Sequence, residues 1–297
     1  MNSISSANIH IPAEWAPQQA VVVGFPSHPR LWEGDLLTEA QQEVAALCNV
    51  LSEVQTCYVL VANTDAKVTA EKLLRSKVEI VQFNFGDIWF RDIAPIFKNS
   101  SQALRFKHNG WGGKYLYPFD DCAAERLAEH FELEAEAFDF ILEGGALDHN
   151  GEGAILTTRQ CLLNENRNGW RQTDAEMQLK KAFNAEKIYW LNDGLAYDHT
   201  DGHIDNTARF VDVNTVVCHR STGNDDPNVE LYNQHPKELV EQGLEVISVP
   251  SPGLIKDADG DIMPASHLNF VIANDVVIFP NYLKYTDANK QCVDEAK

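Results

Sequence analysis

The sequence predicts a mixed α/β fold assembled from repeated modules of two strands, a helix and a further strand. Short apolar segments bounded by Gly, Pro, Asn or Asp alternate with stretches in which apolar residues recur every three or four positions. The predicted helices begin near residues 120, 173, 229 and 287, so successive starts lie about 55 residues apart. Such modules cannot bury their apolar faces alone, and we expect them to close on one another.

The first helix is predicted from the clearest periodicity in the chain. Its apolar positions share one helical face: Leu37, Ala40, Val44, Leu47, Leu51 and Val54. Further helices are predicted over 64–75, 120–131, 173–183 and 229–242 and from about 287. Short apolar strands are predicted over 57–62, 78–83, 138–142, 187–191, 207–213, 215–219, 244–249, 268–273 and 276–279.

The composition is that of an acidic, folded chain. Its 297 residues include 44 Asp and Glu against 24 Lys and Arg, a formal net charge of −20 that disfavours binding to a phosphate backbone. Apolar residues make up 44% of the chain, which excludes disordered and collagen-like classes. Nucleic acid is therefore not an expected partner. A small cationic substrate agrees with the charge, although a solvated acidic surface explains it as well, and a homo-oligomer is allowed.

The expected location is the cytoplasm. No segment approaches the ~20 consecutive apolar residues of a membrane-spanning helix, so no membrane partner is expected. The first 19 residues lack a basic start and an apolar centre and contain Glu14, which argues against a secretory signal. The six cysteines lack paired spacing and are predicted to be free thiols, most of them buried.

The densest polar cluster occupies residues 198–206, with the sequence Asp-His-Thr-Asp-Gly-His-Ile-Asp-Asn. If this segment is extended, His203 and Asp205 project to the same side while Ile204 points into the core. A titratable imidazole beside a carboxylate suits general acid–base chemistry on a cationic substrate. The alternative is a solvated surface turn rich in Asp and Gly.

A metal site is a further alternative for this segment, because His199 and His203 lie four residues apart. Gly202 disfavours the helix that would place both imidazoles on one face. Thr200 stands where a zinc hydrolase of this pattern needs Glu. The spacing of these histidines therefore gives only weak support to a metal ligand set.

A second polar cluster, Asp-Ile-Trp-Phe-Arg-Asp-Ile-Ala-Pro, occupies residues 87–95. Two carboxylates and an arginine in such an apolar stretch need either partners or a function, because burial of an unpaired charge is costly. The structural alternative is an ion pair of Arg91 with Asp87 or Asp92.

Three shorter segments carry weaker signals. Glu143 closes a predicted strand and precedes two glycines, which allow the backbone to approach a ligand closely. The Gly-Trp-Gly-Gly segment at 110–113 is predicted to be a flexible loop. Residues 163–169 are predicted to form a polar turn.

Six segments resemble, in order, the motifs of the agmatine deiminases and bacterial-type peptidylarginine deiminases of the guanidino-group-modifying superfamily. The likeness covers nearly the whole chain, and the six segments occupy residues 87–95, 110–115, 142–145, 162–168, 200–206 and 264–270. The resemblance implies a pseudo-symmetric α/β-propeller of five modules, of the pentein type, formed by residues 1–297 as a single domain. The fifth module is expected to be incomplete, because the predicted last helix begins close to Lys297.

The resemblance also implies roles for individual residues. Asp92 and Asp205 match the two aspartates that bind the substrate guanidinium, a planar fork suited to paired carboxylates. His203 matches the acid–base histidine, and Glu143 matches the glutamate that supports it.

Two further positions are implied to belong to the substrate site. Trp89 matches an aromatic residue that flanks the substrate, and Asp87 matches a family position whose role is less defined. The implied reaction is hydrolytic deimination of agmatine to N-carbamoylputrescine and ammonia, a step of putrescine and polyamine biosynthesis, through a cysteine-bound intermediate. It needs no metal or organic cofactor. Peptidyl arginine presents the same head group, so protein-arginine deimination stays open.

One departure from the family pattern concerns the nucleophile. The family's cysteine lies in a Gly-rich segment near the C-terminus, and no such segment occurs in this sequence. Cys292 lacks the flanking motif and is not assigned the role. The chain as given is therefore expected to be inactive. A non-catalytic guanidino-binding remnant and a metallohydrolase using His199 and His203 are the alternatives.

Overall fold

The computed structural model describes residues 10–257 and 259–282. By internal packing the chain divides into two units, which we name after a residue of each. The Asp92 unit consists of Trp15–Asp139 and Ile272–Ile278. The His203 unit consists of the described parts of Met1–Glu14, Phe140–Val271 and Phe279–Lys297. A single closed domain stays a prediction, and the helix predicted from 287 lies outside the described residues, as does Cys292.

A parallel sheet of three strands begins the Asp92 unit. Its strands, in the order of their pairing, are β1 (Ala20–Gly24), β2 (Thr56–Val61) and β3 (Val78–Gln82). The predicted first helix is confirmed as α1 (Leu36–Val54), and α2 (Thr64–Leu73) follows β2. Because the three strands are parallel, their carboxyl ends lie at one edge of the sheet, and each connection between them contains a helix.

The rest of the Asp92 unit contains one strand–strand–helix–strand module. Two single-turn helices, α3 (Phe90–Ile93) and α4 (Gly110–Gly113), lie in its loops. The module itself consists, in chain order, of β4 (Ile96–Phe97), β5 (Gln102–Lys107), α5 (Ala123–His130) and β6 (Glu134–Ile141). Its strands form one sheet in the order β4, β5, β6.

The His203 unit repeats the same order of elements twice. The first module contains β7 (Leu147–His149), β8 (Ala154–Thr158), the short α6 (Arg159–Leu162), α7 (Gln172–Phe183) and β9 (Lys187–Leu191). The second contains β10 (Ala208–Asp212), β11 (Thr215–Arg220), α8 (Val229–Glu241) and β12 (Glu245–Pro250). In each, the first strand pairs antiparallel with the second, which pairs parallel with the third. The predicted module order is therefore confirmed for these segments.

A short hairpin completes the described strands, with β13 (Val271–Ala273) paired to β14 (Val276–Ile278). β13 begins three residues later than predicted. The carbonyls of Leu268 and Phe270 instead accept hydrogen bonds from the buried guanidinium of Arg209, at 3.3 and 3.2 Å. A side-chain donor thus replaces strand pairing over these residues.

The helix predicted over 120–131 also differs from the structure. Residues Asp120–Cys122 form a 3₁₀ turn, and the α-helix begins only at Ala123. The Asp120 carboxylate accepts hydrogen bonds from the backbone N–H groups of Gly86 and Asp87. The Asp120 carboxylate therefore fixes the loop that contains Gly86 and Asp87, and it does not cap the helix.

Each unit has its own apolar core. In the His203 unit the fully buried members include Leu156, Leu191, Ile204, Phe210 and Leu239. In the Asp92 unit they include Leu60, Phe85, Ile93 and Leu127. Burying one such side chain stabilises a fold by about 1.5–3 kcal/mol. Within the described residues no helix is long and apolar enough to cross a membrane, and the five cysteines found there are free, as predicted.

Candidate active site

The loop that carries His203 is organised by Asp198. The Asp198 carboxylate accepts hydrogen bonds from the backbone N–H groups of Thr200 and His203, at 2.9 and 3.2 Å. The Thr200 hydroxyl donates to the same carboxylate and accepts from the His203 N–H. Gly202 adopts a φ of 85°, and a Cβ there would stand only 2.6 Å from the side-chain oxygen of Gln160. These constraints fix the backbone that precedes the histidine.

The extended segment predicted at His203 and Asp205 is wrong. Residues Ile204–Asn206 form a 3₁₀ turn, so the alternation of side chains expected for a strand does not apply there. Ile204 is fully buried in the core of the unit, as predicted. His203 and Asp205 are themselves buried, at 1% and 4% exposure, which excludes the solvated surface turn.

The structure brings Glu143 and His203 together. Glu143 lies two residues beyond β6, immediately before the 3₁₀ turn Gly144–Ala146, and its side chain is completely buried. One ligand atom of Glu143, one of His203 and the thiol sulfur of Cys161 all lie within 4.8 Å of one another. The family resemblance pairs the first two residues, whereas Cys161 was predicted only to be a free thiol.

Cys161 reaches this position from α6, the single turn that follows β8. The Thr158 hydroxyl accepts a hydrogen bond from the Cys161 N–H and donates one to the Gly202 carbonyl, at 3.2 and 2.6 Å. α6 is thereby attached to the His203 loop. Complete burial raises the pKa of the Cys161 thiol, and its hydrogen bond to His203 opposes that shift.

Arg167 received no role from the sequence, because 163–169 was predicted to be a polar turn and the resemblance at 162–168 assigned no function to this arginine. Its Nε donates to Glu143 Oε1 at 2.8 Å, and one terminal nitrogen donates to Asp201 Oδ2 at 2.7 Å. The other terminal nitrogen donates to the Thr200 carbonyl at 2.9 Å. Burial alone would lower the pKa of Arg167, but the negative charges of Glu143 and Asp201 raise it. The guanidinium therefore stays charged and ties Glu143 to the loop of His203.

In the Asp92 unit, the loop 86–89 is held by a chain of carboxylates. Asp120 accepts from the backbone N–H groups of Gly86 and Asp87 at 2.7 and 3.2 Å, and burial raises its pKa to about 6. Asp87 accepts from the Ile88 N–H at 2.7 Å and from the Trp89 indole at 3.1 Å. Burial raises the pKa of Asp87, and those two hydrogen bonds oppose the shift. Asp87 orients a tryptophan that is half exposed.

Asp92 lies in α3 and is held by Trp111. The Trp111 indole N–H donates to Asp92 Oδ2 at 2.9 Å, and the Trp111 side chain is buried. The predicted flexible loop at 110–113 is wrong, because the segment forms a tight turn closed by the Asn109 side chain, which accepts from the Gly112 N–H. Trp111 has a φ of 52°, a left-handed conformation that is rare for a bulky residue.

Two other predicted residues are placed as follows. Arg91 is exposed, so its charge does not need a partner to offset burial. The ion pair of Arg91 with Asp87 or Asp92 stays a prediction. His199 is exposed as well. Over the part of the chain that the structure describes, the grouping of possible metal ligands consists of Glu143, Cys161 and His203, without His199.

The family follows from comparison of the whole sequence. The model of the Porphyromonas-type peptidyl-arginine deiminases matches residues 10–294. The chain belongs to this family. A Legionella pneumophila protein and a Vibrio parahaemolyticus protein, both with provisional agmatine deiminase names, are 31% and 32% identical to it. These matches cover 92% and 94% of the chain and 82% and 86% of the relatives.

Solved structures of the family share the fold. A cysteine-to-serine variant of the C. jejuni agmatine deiminase, with substrate bound, is 31% identical and superposes with a TM-score of 0.87. The match covers 96% of this chain and 86% of that one. The Enterococcus faecalis agmatine deiminase is 26% identical with a TM-score of 0.88, and the match covers 97% and 87% of the two chains. The mixed α/β fold of this chain is therefore that of the pentein family.

Proposed function

We propose that this protein hydrolyses the guanidinium group of agmatine, giving N-carbamoylputrescine and ammonia. The observation that carries the proposal is the buried pair of Glu143 and His203, within 4.8 Å of one another, in a chain of this family. A carboxylate beside an imidazole keeps a proton available for an amine leaving group. The names of the agmatine deiminases among its relatives support the same substrate.

In the proposed reaction, a cysteine thiolate attacks the guanidinium carbon and forms a C–S bond. His203 delivers a proton to the departing nitrogen, which leaves as ammonia, and the C–N bond breaks. Water, deprotonated by His203, then attacks the same carbon and expels the thiolate, leaving the ureido product. No oxidation or reduction occurs.

Carboxylates supply the charge that this cationic substrate requires. We assign Asp205 and Asp92 to the guanidinium N–H groups and Trp89 to the flat face of the substrate. Asp205 is buried, and Asp92 is oriented by the Trp111 indole. Asp87 is given a positioning role, because its oxygens accept from the Ile88 N–H and the Trp89 indole.

The attacking thiolate is assigned to none of the five described cysteines. Four of them, Cys48, Cys57, Cys161 and Cys218, are completely buried. Burial raises the pKa of Cys161, so the thiol beside His203 stays protonated and is a poor nucleophile. The Cys122 thiol donates a hydrogen bond to the Phe119 carbonyl.

The test compares two histidines of one loop. Ammonia release and N-carbamoylputrescine formation from agmatine are measured for the wild type, His203→Ala and His199→Ala, each in a chain that carries the Gly-rich cysteine segment of the family. We expect His203→Ala to lose activity by at least about 100-fold, the scale of general acid–base catalysis, while the exposed His199→Ala retains it. Equal activity in all three proteins would contradict the assignment of His203. Binding of agmatine by the wild type without turnover would instead establish a non-catalytic guanidino-binding protein.

A second candidate substrate is a peptidyl arginine, because the matching family model is named for that activity. The same assay with an N-acetylated arginine amide separates the two substrates. A kcat/KM higher for the arginine amide than for agmatine would move the assignment to protein-arginine deimination. We further propose a cytoplasmic protein, and size-exclusion chromatography with light scattering decides whether it forms a homo-oligomer.

A further inference from the structure

We propose that Glu143, Cys161 and His203 form an inhibitory binding site for Zn²⁺. The three side chains contribute a carboxylate oxygen, a sulfur and an imidazole nitrogen, all within 4.8 Å of one another. In a tetrahedral zinc site, ligand atoms are about 3.5 Å apart, so closure around the ion takes side-chain shifts of about 1 Å. This donor set is typical of zinc and unsuited to Mg²⁺ or Ca²⁺, which prefer oxygen ligands alone.

The surroundings of these ligands meet further requirements of a zinc site. Arg167 donates to Glu143 Oε1 at 2.8 Å, and such outer hydrogen bonds orient a ligating carboxylate. The charge of Arg167 is also offset by Asp201 at 2.7 Å. Glu143 and a Cys161 thiolate would then balance the two charges of the ion, with water as the fourth ligand.

Binding is coupled to loss of a proton. Zinc displaces the proton of the Cys161 thiol, which passes to the solvent, and a Zn–S bond replaces the S–H bond without any change of oxidation state. The bound ion also occupies a nitrogen of His203, and that imidazole can no longer carry the proton of the deimination reaction. This inhibition, unlike the binding itself, rests on the proposed function.

The binding experiment uses the full chain. Because the three ligands are buried, the protein is produced both with and without zinc in the growth medium, so that the ion can also enter during folding. Zinc affinity is measured by competition with a chromophoric chelator for the wild type, Cys161→Ser and Cys218→Ser. Cys218 is the matched control, a buried cysteine of the same unit whose sulfur lies 4.0 Å from the Ser248 hydroxyl. Thermal unfolding confirms that each variant is folded.

We expect one tight site in the wild type and in Cys218→Ser, distinct from weak binding to surface carboxylates. In Cys161→Ser that affinity should fall by more than about 100-fold, since outer-shell partners alone account for about 10- to 100-fold. Cobalt loading supplies a spectroscopic signature, a thiolate-to-metal charge-transfer band that Cys161→Ser should lack. Equal zinc affinity in the wild type and Cys161→Ser, or a cobalt band that persists in that variant, would overturn the site.

The inhibition experiment adds zinc to the agmatine assay and then removes it with a chelator. We expect reversible inhibition of the wild type and at least a tenfold weaker inhibition of Cys161→Ser. If no preparation turns agmatine over, the proposed function fails, while the affinity and the cobalt spectrum still decide the metal site. If turnover is normal but the tight site is missing, only the zinc proposal fails.

Discussion

Arg167 has contacts that are unusual for a residue in a polar turn. Its buried guanidinium donates to Glu143, Asp201 and the Thr200 carbonyl, so two segments of the His203 unit, at 143 and at 200–201, are joined through one side chain. Only Arg offers a planar array of donors that can reach three acceptors at once. If it is removed, Glu143 keeps its charge in the interior without that partner, and a buried unpaired charge is strongly destabilising.

We therefore predict that Arg167→Met lowers the free energy of unfolding by about 3–5 kcal/mol. Urea denaturation followed by circular dichroism measures this change. The control is Arg171→Met, which removes an exposed ion pair with Asp174 and should change stability little. A double variant with Glu143→Gln should recover part of the loss, because position 143 then carries no buried charge. Equal stabilities of Arg167→Met and Arg171→Met would show that the buried network contributes nothing.

At the scale of elements, α8 and β11 pack two buried histidines into the second module of the His203 unit. Burial lowers the pKa of His219 in β11 to about 3 and that of His235 in α8 to about 4. The backbone N–H of His267 donates to His219 Nε2 at 3.3 Å, which requires the neutral imidazole. Both side chains must therefore be neutral in the folded protein at ordinary pH.

These lowered pKa values predict a loss of stability in acid. Unfolded histidines bind protons below about pH 6.5, whereas the folded ones stay neutral down to about pH 3–4. Stability should fall with decreasing pH between these limits, by up to about 1.4 kcal/mol per pH unit for each histidine. Asp120, whose pKa is raised to about 6, acts in the opposite direction over part of this range.

The measurement is the free energy of unfolding in urea at pH 7 and pH 5. We expect His235→Gln to lose less stability on acidification than the wild type. The control is His199→Gln, an exposed histidine that should leave the pH dependence as it is. Parallel pH profiles for His235→Gln and the wild type would show that His235 does not titrate differently on folding.

The sequence predicted the features that depend on neighbouring residues and missed those that depend on residues far apart in the chain. α1 and the repeated module order were predicted correctly because hydrophobic periodicity is a local property. The role of Arg167 was not, since its partner Glu143 is 24 residues away and nothing in a single sequence pairs the two. The 3₁₀ turn after His203 was missed for a related reason. The polar composition of 198–206 is compatible with several backbone conformations, and Asp198 and Thr200 select one through side-chain hydrogen bonds.

At the scale of the whole molecule, the net charge of −20 sets the long-range field that an approaching substrate meets. Negative potential raises the local concentration of cations, and salt weakens the effect, since the Debye length is about 10 Å at 0.1 M ionic strength. Agmatine carries two positive charges, whereas free arginine also carries a carboxylate. The two guanidino compounds should therefore respond differently to salt.

We predict that added NaCl between about 0.02 and 0.3 M lowers kcat/KM for agmatine several-fold through a higher KM, with kcat little changed. The comparison is the N-acetylated arginine amide, which carries one positive charge and should show a shallower dependence. Steady-state kinetics at constant pH provide both slopes. Equal slopes for the two substrates would show that the overall field of the protein plays no part in their capture.

The contact between Gly194 and Gly202 makes the segment between them an Ω-loop with a closed neck. A Cβ on Gly194 would overlap the Cα of Gly202, and Gln160 accepts the Gly194 N–H at 2.8 Å from the adjoining turn. Tyr197, at the tip of the loop, is exposed. The two glycines at the neck therefore act together with Asp198 and Thr200 in setting the position of His203, the residue that follows Gly202.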